Sequence, residues 1–100
     1  MTTEIFLKLY DDNHKFSETE LMDLWDGNTD VHMYLAEDEV YGPLGRWNTS
    51  VSKVVKVTDR YFMLFKEAGN TEYQEDYYYK QPQEVYPVEK TVITWKEIPR

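Results

Sequence analysis

Oxygen-bearing side chains at Asp26, Asn28, Asp30 and Glu37 have the spacing of the ligands in a helix-flanked calcium loop, where carboxylates at the first, fifth and twelfth positions surround a hard cation. The match breaks at the sixth position. A sharp turn there needs glycine, and this chain has Val31. The segment that would wrap the ion also alternates like a strand, so no metal site is expected. His14 and His32 have no ligand-spaced histidine, and the chain has no cysteine, so zinc would need carboxylates to complete its coordination; both histidines are read as surface residues or as satisfied by hydrogen bonds within the fold. There is no glycine-rich phosphate loop, nucleophile elbow or metalloprotease helix. No catalytic residue and no cofactor is therefore expected, and the chain reads as a non-enzyme.

The remaining candidate chemistry is electrostatic. From Met1 to Ser52 the chain has eleven acids against three bases, whereas from Lys53 to Arg100 it has eight of each, so the formal charge of −8 belongs to the first half. Between Asp11 and Glu39 only Lys15 opposes ten acids. Such a field steers a cationic partner inward and repels nucleic acid, which excludes direct nucleic-acid binding. Asp23, Asp26, Asp30, Glu37, Asp38 and Glu39 are the expected contact residues. A second patch is expected at Glu72, Glu75, Asp76 and Tyr77, because tyrosine among acids offers contact area at low entropic cost. Carboxylates so displayed can stand where phosphates sit in the channel of a nucleic-acid-handling protein, which is mimicry of DNA by charge.

Positioning these residues falls to a single domain of residues 1–100, large enough to bury a core without disulfides. Thr3 to Tyr10 alternates, with Ile5, Leu7 and Leu9 on one face, and reads as a half-buried strand followed by a polar turn over Asp11 to Lys15. Ser17 with Glu20 forms a capping box and Phe16 with Leu21 a hydrophobic staple, so a helix runs from Glu18 to Asp26 and stops at Gly27. Asp23 and Asp26 lie at its C-terminal end, where the helix dipole disfavours anions. A strand follows over Val31 to Ala36, then the acid run Glu37 to Glu39 and a loop at Gly42 to Gly45.

Val51 to Val57 and Tyr61 to Lys66 read as a hairpin turning at Thr58-Asp59-Arg60, with Asp59 taking the left-handed conformation. Its apolar residues fall on both faces, which implies cover on both sides. Thr71 with Gln74 signals a short helix from Glu72 to about Lys80, although Tyr77, Tyr78 and Tyr79 in succession favour a strand. Pro87 makes Val85 to Val88 an edge or a lead-in, and Lys90 to Trp95, carrying Val92, Ile93 and Trp95, reads as a last strand. The expected fold is α+β: a mainly antiparallel sheet of about five strands, one capped helix packed on it, and a second short helix.

The order YFMLFKEAGNTEYQ, QPQEVYPVEK and a β-branched run ending in Trp95 resembles small proteins of phages and prophages of Gram-positive bacteria. The resemblance covers Tyr61 to Trp95 and implies a host-takeover or counter-defence factor, such as an anti-CRISPR protein. The expected function is inhibition of a basic host protein that handles nucleic acid. The alternative is a phage structural or assembly protein that self-associates. The N-terminus shows neither a basic segment nor an apolar run of signal-peptide type, and no stretch is long enough to span a bilayer, so a cytoplasmic site in the host cell is expected. The oligomeric state is open between monomer and dimer.

Overall fold

The computed structural model describes residues 1–44, 48–69, 75–88 and 95–99. Two helices, α1 (Thr3–Asp11) and α2 (Glu18–Asp26), precede four strands: β1 (Tyr34–Leu44), β2 (Asn48–Val57), β3 (Arg60–Gly69) and β4 (Gln83–Val85). The strands form one antiparallel sheet in the order β1-β2-β3-β4. The α+β class is as expected, with four strands among the described residues where about five were expected. Of the proposed last strand, Lys90 to Thr94 lies outside the described residues, and Trp95 is not in a strand.

The first element corrects the sequence reading. Thr3 to Tyr10 is helical, because its apolar residues satisfy two periods at once. Phe6 is buried, and Leu7, Leu9 and Tyr10 pack around the same core, while Ile5 points outward. Thr2 caps the helix by accepting from the Ile5 N–H at 3.3 Å, and Asn13 ends it in the left-handed region at φ 60°. The second helix has the capping box expected of it, with Glu20 N–H donating to Ser17 Oγ at 3.2 Å and Ser17 N–H to Glu20 Oε1 at 2.9 Å. Gly27, at φ 72°, turns the chain out.

Strand β1 starts later than expected and runs on through Glu37–Glu39 to Leu44, where the sequence suggested a loop. Its pairing with β2 explains why it was hard to read. Tyr34 pairs with Lys56, Glu37 with Val54, Val40 with Ser52, and Leu44 with Thr49, so β1 gains one residue on β2 at each of three irregularities. Each extra residue resets the alternation by one, which erases a period-two signal.

The hairpin is regular from Asn48 opposite Gly69 to Val57 opposite Arg60. Its two-residue loop puts Thr58, not Asp59, at positive φ (58°). One face of the hairpin carries Val51, Val55, Val57, Phe62 and Leu64, which are buried with Phe6, Phe16, Leu21, Leu24, Trp25 and Val31. Both helices lie on this face: Phe6 meets Phe62 edge-on at 5.1 Å between ring centres, and Trp25 lies beside Lys53 and Lys66. The expected cover on the second face is not provided by any described helix.

The expected second helix is also corrected over its described part. Residues 75–80 are not helical; Tyr77 exchanges both backbone hydrogen bonds with Glu67 at 2.8 Å, and Tyr78 turns into the core. Glu72 and the start of that helix lie outside the described residues. Two residues more lie between the Tyr77 pairing and β4 than between their partners on β3. The excess includes Gln81, whose amide accepts from Phe16 N–H at 2.8 Å and donates to Phe16 O at 3.1 Å.

Candidate interaction surfaces

Trp25, near the end of α2, lies against two lysines on which the acids act. Its ring is buried against two lysines from the sheet, with Lys53 Nζ 4.4 Å and Lys66 Nζ 5.0 Å from the ring centre. Lys53 also donates to the Trp25 carbonyl at 2.7 Å. This sets a cation from β2 at the helix end whose own last turn has no base and carries Asp23 and Asp26. Asp26 at that end thus has a tertiary counter-charge. Burial holds the Lys53 pKa below its ordinary value, while Glu39, Asp26 and Asp38 act in the opposite sense.

Those electrostatic neighbours locate the site. Asp26 comes from α2, and Asp38 and Glu39 from β1; all three are exposed. Asp76 joins from the segment after β3, where it pairs with Lys66 at 3.6 Å and accepts from the Gly69 N–H at 3.0 Å. Asp26 and Asp76 both act on the buried Tyr78 phenol, whose pKa is raised first by burial and then by these two charges. Residues that the sequence placed in two separate patches therefore border one region.

On β1 the acids are held in place. Asp38 Oδ1 accepts from the Glu39 N–H at 2.7 Å, and Tyr41 OH donates to Glu39 Oε2 at 2.9 Å. That bond to Glu39 raises the Tyr41 pKa. The other expected residues are placed elsewhere. Asp30 bridges to Thr2 and donates its N–H to the Met1 carbonyl at 3.1 Å, and Glu37 pairs with Val54, on the sheet face turned away from the helices. Asp23 is partly covered and uses its carbonyl to receive Asn28 N–H at 2.9 Å. Glu75 is exposed, and Tyr77 is half exposed and tied to Glu67.

The lysines were missed, although the signal was present: Lys53 interrupts the apolar run of β2 on its core-facing side. His14 meets Glu20 at 3.3 Å and the Phe16 ring edge-on at 4.9 Å, and His32 is in the connection to β1, with its N–H on Thr3 Oγ1 at 2.8 Å. Among the described residues, no group of three His, Cys, Asp or Glu side chains is placed to hold a metal ion. No helix among them is long and apolar enough to cross a membrane. Comparison of the chain with protein-family models, with curated proteins and with solved structures finds no match.

Proposed function

We propose that this chain is a non-enzymatic binding protein that occupies the cationic, nucleic-acid-handling surface of a host protein. The supporting observation is the convergence of exposed Asp26, Asp38, Glu39 and Asp76 from three segments onto the region around Trp25. Carboxylates spaced over a rigid sheet and helix end present negative charge without the entropy of a flexible acidic tail. The resemblance of Tyr61 to Trp95 to small phage proteins favours a defence protein as the target.

The test is competition. The chain, bound to a nucleic-acid-binding protein recovered from host lysate, is expected to displace a labelled DNA duplex from it. Replacing Asp38 and Glu39 by lysine is expected to weaken that inhibition by about tenfold or more and to flatten its salt dependence, with the fold unchanged. Unaltered inhibition by the folded variant would rule out charge mimicry through β1.

A further inference from the structure

The sheet has a second large surface, and its chemistry is different. By register, the face turned away from the helices carries Tyr34 and Val40 of β1, Val54 of β2, and Tyr61, Met63 and Phe65 of β3. Tyr34 and Val40 are 74% and 52% exposed, and the other four are partly covered. No described helix packs on them. Tyrosine, phenylalanine and methionine are the residue types enriched in the buried centre of protein interfaces.

The charges on this face decide what fits it. Glu37 and Glu67 are balanced by Lys56 and Lys80, the latter 4.4 Å from the Phe65 ring. Among the described residues that strand pairing or ring contact places here, these four charges cancel, on a chain of formal charge −8. A strongly cationic protein is drawn to the acids on the other side, whereas a second copy meets repulsion there and none here.

The arrangement is also self-complementary. Lys56 lies opposite Tyr61 near the hairpin turn, and Ser50 lies opposite Glu67 toward the other end, with the Lys53–Leu64 rung midway between. A two-fold axis lying in the interface, across the strands at that rung, sets the Lys56 end of one sheet over the Glu67 end of the other. Val54, Met63 and Phe65 of the two copies then meet in the middle, in the manner of stacked sheets about 10 Å apart.

We infer that two copies of this chain associate face to face through the outer surface of the sheet, with Met63 and Phe65 at the centre and Lys56 facing Glu67 of the other copy. The contact leaves Asp26, Asp38, Glu39 and Asp76 free on the helix side, so it stands independently of the function proposed above. Sedimentation velocity between about 1 and 100 μM is expected to show a monomer–dimer equilibrium. Met63→Lys is expected to weaken it by about tenfold or more with the circular dichroism spectrum preserved.

Lys56→Glu reverses the charge at the edge of the contact without altering its apolar centre and is expected to weaken the dimer as well, and Glu67→Lys in the same chain is expected to restore it. This pair reads the arrangement even if Met63→Lys fails to fold. A wild-type chain that stays monomeric over the range overturns the inference, including one that binds a different protein through this face. So does a dimer that Lys56→Glu leaves unchanged.

Discussion

Thr58 holds a backbone angle that a β-branched residue rarely adopts, φ 58° at the first position of a two-residue hairpin loop. Its hydroxyl compensates locally, donating to the Val57 carbonyl at 2.6 Å. The hairpin was legible from its two apolar runs and their separation, but the left-handed residue was misassigned. Asp59 has the better intrinsic tolerance, yet the twist of the paired strands requires positive φ at the first loop residue, whatever stands there. Thr58→Gly removes the clash of the β-carbon and leaves the register intact. The variant is expected to be more stable by about 1 kcal/mol, equivalent to about 4–8 °C in melting temperature for a domain of this size. Differential scanning calorimetry checks this, and an unchanged or lower melting temperature would show that the threonine conformation carries no strain.

Elements were legible where a local device defined them and illegible where tertiary packing chose between two patterns. Helix α2 declares itself through Ser17, Glu20 and Gly27, all acting within the element. Helix α1 has the Thr2 cap but no reciprocal capping box, and its apolar pattern is ambiguous: Ile5, Leu7 and Leu9 fit a strand, and Phe6, Leu9 and Tyr10 fit a helix. Packing of Phe6 against Phe16 and Phe62 selects the second. Strand β1 fails differently, through three extra residues that no composition signal marks. The site inherits these limits, since its acids were found by counting charge while their meeting around Trp25 depends on Lys53 and Lys66 of the sheet. The capping box supplies a direct test of local encoding. Ser17→Ala leaves the Glu20 N–H without its hydroxyl acceptor and is expected to lower stability by about 1 kcal/mol. Urea unfolding would record this as a lower midpoint at constant slope.

At the scale of the molecule, Arg60 joins parts of the chain that lie far apart in sequence. Its guanidinium grips Asp11 at the end of α1 with bonds of 2.8 and 3.1 Å, and Glu84 of β4 with bonds of 2.8 and 2.9 Å. Tyr10 OH accepts the Glu84 N–H at 2.7 Å in the same seam. The hydrogen bonds from Arg60 hold the Asp11 and Glu84 carboxyls below their ordinary values of 3.8 and 4.5, and the two carboxylates raise the arginine's own pKa in turn. Depressed carboxyl values mean that the folded state binds fewer protons than the unfolded chain. Their contribution is therefore fully present above the unfolded values and is lost as pH falls through the lower folded ones. Glu20, lowered first by its bond from the Ser17 N–H, acts with the same sign. Arg60→Met is expected to be less stable than the wild type at about pH 7, and the gap is expected to narrow progressively as pH drops below about 4, as the wild type begins to lose the same pairs. Thermal melts of both proteins across that range decide the matter. A gap that stays constant down to about pH 3 would mean that the seam is held by the packing of Arg60 over the Tyr10 and Phe62 rings rather than by its charge.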